Sequence, residues 1–465
     1  MTSVSTYLDS FRVLLFQCLQ ATQPRDQVLV IYDESLGQFF DALVQVLIES
    51  HLQVSFIYLP EAYQKALVEW NERKDERLRL PEGLYAAIGE ATVILNLLNG
   101  QPSTMSVRKA ILDRKRVKGS RCAHIPGISS EVLAILSCSP IEQILEQSEL
   151  VAWGLGEASR ARLVTYDPQG RAHTLALDLA GWDNEPLMSP GVIHPGSWGN
   201  VPPGESFWCP DALTGSGTVC INGSVPRAPL TLDQAALLHF EEGRLVAWDA
   251  EHEGPVARFL SQAEEAARAR KDPGWNQFAE LGIGLNPAVG QLTGNPLFDE
   301  KKAGTIHIAI GDNSGFGFGL RAGRHDDLVT LAPSLILDDV EVMKEGVLQT
   351  GALDGWRQSR RFEPLTLNET AKLILHSEHF EGQNGQAMRR LCRADRLGYV
   401  RIAKGREETL VCEVVSIFQS RDNLSYSALR KALDIRRQGG ESLDPLRLNT
   451  ALALLEHYRV VEVKR

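Results

Sequence analysis

The sequence predicts an α/β protein in three parts: a doubly wound α/β domain over residues 1–150, a mainly β (α+β) domain over 151–350, and a winged-helix-like domain over 351–465. Three observations predict it. At 465 residues the chain exceeds one ordinary hydrophobic core. Its texture changes near residue 150, from apolar runs alternating with amphipathic stretches to short strands broken by glycine and proline. Its charge changes as well, since residues 351–465 hold 20 Lys and Arg against 15 Asp and Glu in a chain whose overall net charge is -11.

In the first part, Tyr7, Phe11, Leu14, Leu15, Cys18 and Leu19 fall at helical spacing, which predicts an amphipathic helix over 3–20. QVLVIY from Gln27 is a short apolar run suited to a buried parallel strand, VSFIYL from Val54 reads as a second strand and TVILNLL from Thr92 as a third, and Ser35–Glu49 as the helix between the first two. The stretch Glu61–Leu80, with WNERKDERLR, reads as a charged helix with a solvated face. No G-x-G-x-x-G follows the first strand, so a dinucleotide site is not indicated, and Asp33 at that strand's end has no assigned chemistry. The sequence of the first domain closes after HIPGISSEVLAIL.

In the second part, ARLVTYDPQGRAHTLALDL reads as two strands about a polar turn, and GTVCINGS, GRLVAWDA, GTIHIAI and SLILDD as further strands. Pro255–Arg270 is its clear helix. In the third, VCEVVSIFQS, SYSALRKALDI and DPLRLNTALALLEHY followed by RVVEVKR give the short helices and strand of a winged-helix pattern. SALRKALDIRRQ adds a basic face, which suits phosphates or an acidic peptide, and the ordinary reading of the added domain is a purely structural dimerisation role. The excess of five positive charges is modest for DNA, and the acidic whole disfavours non-specific nucleic-acid binding.

The seven cysteines are scattered and never spaced C-x-x-C, so they suggest neither a disulfide framework nor a thiolate zinc site. FRVLLFQCL is interrupted by Arg12 and Gln17 and is too short for a signal peptide or a membrane span, so the expectation is a cytoplasmic protein without a membrane partner.

The chemistry concentrates in the middle. His307 lies within an apolar strand, and His325 and Asp327 form an H-x-D pair whose side chains share one strand face. Imidazole and carboxylate donors arriving from separate strands suit a borderline or hard divalent ion. Taken singly, each histidine has an ordinary reading as a core imidazole satisfied by a carbonyl, and Asp327 as the end of a strand.

Taken together, PPGESFWCPDALTGSGTVCINGSVP, AELGIGLNPAVGQLTGNPLFDEKKAGTIHIAIGDN, RHDDLV and SLILDDVEVMKEG resemble, in the same order, segments of the aminopeptidase T family of metal-dependent aminopeptidases. The resemblance covers the first 350 residues and leaves the C-terminal domain as an addition. It implies Glu205, Glu280, His307, His325 and Asp327 as ligands of two divalent metal ions (zinc, cobalt, manganese or magnesium), with Glu280 bridging. It further implies hydrolysis of N-terminal peptide bonds by metal-activated water, a peptide substrate and a homodimer. Ser314 stands where many members carry a tyrosine seven residues after the strand histidine, a donor to the tetrahedral intermediate. Glu280 and Ser314 are therefore the candidate catalytic residues.

Two other functions stay open at this point. One is a catalytically altered relative that binds or modifies a precursor peptide, suggested by Ser314 and the added domain. The other is a mononuclear iron ring-cleaving dioxygenase on the same scaffold, against which the retention of both Glu205 and Glu280 argues. Arg321 and Arg324 in GFGFGLRAGR read as part of a glycine-rich turn or as anion contacts; His194, Trp198 and Trp208 as pocket lining or core; His376 and His379 as surface or core.

Overall fold

The apolar runs of the first part become parallel strands because alternate side chains enter two different cores. Val28 and Val30 pack with Phe11, Leu14, Phe39 and Leu43 on one side, whereas Leu29 and Ile31 pack with Leu84, Ile88, Val107 and Ile111 on the other. A strand buried on both faces must be apolar throughout, which is why Gln27–Tyr32 and Val93–Leu97 show no alternation, whereas the edge strand Gln53–Tyr58 is largely exposed. The computed structural model describes residues 4–22, 26–73, 78–101, 104–115, 120–179 and 186–359, and beyond these only 372–375, 400–401, 423–436, 448, 452 and 461–464.

The parallel sheet has the order Gln53–Tyr58, Gln27–Tyr32, Val93–Leu97, Arg121–His124, Trp198–Asn200, with helices on both faces. Its fifth strand comes from far along the chain, after three strands of the β-rich part. The first helix, Val4–Arg12, continues as a wider π-helical turn over Val13–Cys18, an irregularity that helical spacing alone does not reveal. The charged helix is Glu61–Arg73, shorter than the Glu61–Leu80 expected, and residues 74–77 lie outside the described residues. Arg121 ties the first helical segment to the sheet: its guanidinium donates to the carbonyls of Leu19 and Gln20 and pairs with buried Asp26.

Helix Ile141–Glu157 spans the junction. Ile141 belongs to the core of the parallel sheet, while Leu150, Val151 and Leu155 belong to the core beyond it. That second core lies between two eight-stranded sheets. One runs Arg244–Asp249, Ala236–Glu241, Ser216–Ile221, Ala172–Asp178, Arg160–Tyr166, Ser334–Leu337, Val340–Lys344, Val347–Leu348. The other runs Ala228–Pro229, Ser224–Val225, His325–Leu331, Thr305–Gly311, Phe278–Gly284, Glu205–Trp208, Leu187–Ser189, Val400–Arg401. Both are antiparallel throughout the pairings described. The helix read at Pro255–Arg270 forms over those residues, with proline in its first turn and Lys271 in a left-handed conformation at its end.

In the C-terminal region the described strands Lys372–Leu375, Asn423–Ser425 and Val461–Lys464 pair antiparallel, and Tyr426–Arg436 is a helix. The VCEVVSIFQS segment and most of DPLRLNTALALLEHY lie outside the described residues, as do His376 and His379. Among the described residues no helix is long and apolar enough to cross a membrane.

The Arg121–Asp26 pair offers a direct test of how the first helix is fastened. Arg121→Met removes one partner of a buried pair and leaves Asp26 uncompensated, which should lower stability by about 3–5 kcal/mol in urea unfolding; an unchanged midpoint would show that the pair contributes nothing.

Candidate metal centre

Four neighbouring strands of one sheet carry the five residues singled out in the sequence, and their register places all five on one face. Asp327 stands opposite Ala309 and His325 opposite Gly311; His307 stands opposite Gly282, Ala309 opposite Glu280, and Gly284 opposite Glu205. Residues directly opposite each other in an antiparallel pair share a face, and so do residues two apart along a strand. The other face carries Leu281, Ile283, Ile306, Ile308, Ile310 and Leu328 into the apolar core. The apolar residues around His307 therefore anchor the strand, while alternate positions carry the polar centre.

Two glycines make the arrangement possible. At Gly282 a β-carbon would lie 2.0 Å from His307 Nε2 and 2.1 Å from its Cε1, so the imidazole occupies the space where a side chain would be. Gly204 has φ 130°, and a β-carbon there would meet the Asn286 β-carbon at 2.4 Å. This lets the chain pass close to Asn286 immediately before Glu205. A bulge between Phe278 and Glu280 shifts the register by one residue and sets the side of the sheet that Glu280 faces.

The polar atoms converge. His307 Nε2 lies 3.0 Å from Glu280 Oε1 and 3.8 Å from Glu205 Oε2, and His325 Nε2 lies 3.4 Å from Glu280 Oε2 and 3.2 Å from Asp327 Oδ1. Glu280 thus sits between the two imidazoles. His325 Nδ1 is 2.5 Å from the Asp312 carbonyl, which orients the ring and leaves Nε2 towards the carboxylates. Cys209 donates its thiol to Glu280 Oε2 at 3.7 Å, and burial beside that carboxylate pushes the thiol's pKa well up.

Two residues that the sequence reading did not single out complete the cluster. Glu300 and Lys301 follow the short helix Pro296–Asp299 and enter from a turn rather than from a strand. Lys301 is fully buried and holds two carboxylates, Glu205 Oε1 at 2.6 Å and Glu300 Oε1. Strand periodicity could not point to them. Their signal was an adjacent acid and base directly before the His307 strand, inside a segment that carries the family resemblance.

The charges explain the protonation states. Burial disfavours the imidazolium of His307, but the hydrogen bond to Glu280 and the fields of Glu280, Asp327 and Glu205 outweigh it and hold the pKa up at about 9. His325 is raised for the same kind of reason, against burial, by Asp327 and Glu280. Burial opposes charge on Glu280 and Asp327 too, yet the histidines keep both below the ordinary carboxylate range. Glu300 is the exception: burial, with Glu205 and Asp327 adding repulsion, pushes it up to about 8 although Lys301 pulls the other way.

Among the described residues, two sets of atoms lie close enough together to hold a metal ion: Glu280, His325 and Asp327, and Glu205, Glu300 and His307. The first fits a divalent cation well. It supplies one imidazole nitrogen and two carboxylates, and buried Asp327 Oδ1 has no hydrogen-bond partner even though His325 is near. In the second set, two of the three donors already hold Lys301.

The remaining candidates lie apart from this cluster. The Ser314 hydroxyl donates to the Asp312 carboxylate at 2.9 Å, on the loop after the His307 strand. Arg324 pairs with Asp326 at 2.6 Å and lies over the Phe259 ring, and the Arg321 carbonyl accepts from Gln277. Trp208 is buried in the core between the sheets, Trp198 packs edge-on to His124 in the parallel sheet, and His194 is exposed. Asp33 caps the turn at Ser35 and accepts from the Asn99 backbone.

A family model described as thermophilic metalloprotease (M29) matches residues 196–323, a span that holds Glu205, Glu280, Glu300 and His307 and ends two residues before His325. Among solved structures, 2,5-dihydroxypyridine dioxygenase from Pseudomonas putida is similar with a TM-score of 0.56 at 16% identity, covering 75% of this chain and 98% of that one. Wild-type AmpT from Thermus thermophilus is similar with a TM-score of 0.51 at 16% identity, covering 75% of this chain and 100% of that one. No curated protein matches the sequence.

Gly282→Ala should displace the His307 ring and cost about 1–3 kcal/mol through overpacking. Its signature is loss of bound metal in a protein that still folds, read by elemental analysis and circular dichroism; full occupancy would mean that the ring has another place to go. In chelator-treated protein, the raised His307 pKa contributes stability that is complete below about pH 6.5 and is lost as pH rises through about 9. Glu300, protonated more readily in the folded chain, acts in the same direction between about pH 4.5 and 8. Urea midpoints should therefore fall from pH 6.5 to 9, and fall less in His307→Gln; an equal fall in both would remove His307 as the cause.

Proposed function

We propose, taking as premise the aminopeptidase T-like family that the matched segment supports, that this chain is a metal-dependent aminopeptidase acting on peptides with a free N-terminus. The observation that carries this reading is the one-faced cluster of His307, His325, Glu280 and Asp327 on adjacent strands, with Glu280 and His307 inside the M29 match and His325 and Asp327 just beyond its end. Glu280, His325 and Asp327, with His307 beside them, would hold the metal. When bound, a divalent ion supplies Lewis acidity towards a peptide carbonyl and a water molecule.

The residues themselves assign the remaining roles. Glu280 is the carboxylate reached by both imidazoles, so it is the group best placed to accept a proton from a water at the centre and return it to the leaving amine. His325 is the most exposed of the set, its side chain 23% accessible while His307 is sealed, so substrate approaches from the His325 side. Phe316 packs edge-on to His325 and to Phe207 there and gives that approach an apolar wall. Burial around the rest of the cluster excludes bulk water and strengthens each electrostatic contact.

Ser314 is the weakest member of the catalytic set. Its single proton is engaged by Asp312, so the hydroxyl reaches a substrate oxygen only by giving up that bond.

The metal-loaded protein should hydrolyse free-amino peptides or aminoacyl anilides and spare their N-acetylated counterparts. No cleavage across a broad peptide library, from protein verified to hold metal, would sink the reading in favour of a peptide-binding relative or another metal reaction. Ser314→Ala should lower kcat by less than tenfold; a loss of about a hundredfold or more would identify that hydroxyl as a donor to the developing oxyanion.

A further inference from the structure

Among the described residues two groups have the makings of a metal site, and in one of them a cation is already built into the chain. Lys301 is 0% exposed, and its Nζ is bound to Glu205 Oε1 and to Glu300, two of the three donors of the Glu205–Glu300–His307 group. The third donor, His307, directs Nε2 to Glu280 at 3.0 Å, nearer than Glu205 at 3.8 Å. Both carboxylates of this group are therefore held by an internal cation and His307 Nε2 faces Glu280, while His307 Nδ1 is buried without a partner. The Glu280–His325–Asp327 group lacks such an internal ammonium and has the unpartnered, buried Asp327 Oδ1.

We propose that Lys301 closes the Glu205–Glu300–His307 group to metal, so that the chain takes a single divalent ion at Glu280, His325 and Asp327. This rests on the metal-centre reading above and departs from the two ions that the sequence resemblance implies.

The backbone fixes the lysine in that role. The Lys301 carbonyl accepts from Asn286 N at 2.8 Å, and its N–H donates to the Phe298 carbonyl at 3.0 Å. Asn286 is itself pinned: its side-chain amide donates to Pro203 O and Ser139 Oγ, and its carbonyl accepts from Ala303 N. The turn that delivers Lys301 is thus tied to the same strand approach that delivers Glu205, through Gly204 and Asn286. With no route to solvent, the ammonium cannot swing aside for an incoming ion without becoming a buried, unpaired charge, and an ion beside it would meet like-charge repulsion in a poorly screened interior. Glu205 then serves as the counter-ion of Lys301 and Glu300 as its hydrogen-bond partner, together positioning it, and Lys301 sets how many metal ions the centre accepts.

The test is stoichiometry. Full-length protein stripped with chelator and titrated with Mn(II) should take one tightly bound ion per chain by calorimetry and elemental analysis, with the electron paramagnetic resonance signal of an isolated ion. Lys301→Ala should take two, with the signal of a coupled pair. Glu205→Gln, which keeps the fold's packing, should still take one ion, with affinity within tenfold of the unaltered protein. Two ions in the unaltered protein, one ion in a folded Lys301→Ala, or loss of the ion in Glu205→Gln would each overturn the proposal while leaving a metal-dependent function in place. No ion in the unaltered protein would remove both this proposal and the function it rests on.

Discussion

Imidazoles and carboxylates drawn from residues 205 to 327 meet only because four antiparallel strands hold one register. A one-residue slip of any of them would exchange the polar face for the apolar one, moving a histidine or carboxylate into a core of leucine and isoleucine. The apolar residues on the reverse face therefore do more than fill space. Ile306, Ile308 and Ile310 define the register that aims His307, and Leu328, next to Asp327, does the same for the H-x-D pair. Gly282 and Ala309, standing opposite His307 and Asp327, are small where the site needs volume.

Held this closely, the charges become the second constraint. Glu205, Glu280, Glu300 and Asp327 are all buried or nearly so, an arrangement that would be prohibitive without cations among them. Lys301 supplies a permanent cation on one side, and His325 and His307 supply conditional ones on the other. Coordination of a metal ion by His325 requires that imidazole to be neutral, so metal and proton compete for the same position and the ion takes over the balancing charge. The two halves of the cluster differ in this respect: one carries its cation in the chain, and the other exchanges protons for one.

Much of this was legible in the sequence because strand chemistry has a period. The H-x-D pair announced two side chains on one face, and the doubly apolar runs at Val28 and Val93 announced a parallel sheet covered by helices on both sides. Three features were not legible, each for its own reason. The bulge at Phe278/Glu280 has no composition of its own, since a single extra residue leaves the hydrophobic pattern almost intact. Glu300 and Lys301 arrive from a turn, where no periodicity relates a residue to the face it will occupy. Trp198–Asn200 leaves the β-rich part to become the fifth strand of the parallel sheet, a pairing between residues far apart in the chain that local pattern cannot encode.

The position of the metal is the claim on which the rest depends. Anomalous diffraction from crystals equilibrated with zinc or manganese, recorded on both sides of the metal's absorption edge, would place it directly. The account predicts a peak bounded by His325 Nε2, Asp327 Oδ1 and the Glu280 carboxylate, with Lys301 still held between Glu205 and Glu300. A peak at the Lys301 position with the lysine displaced, or no peak against Glu280, His325 and Asp327, would contradict it.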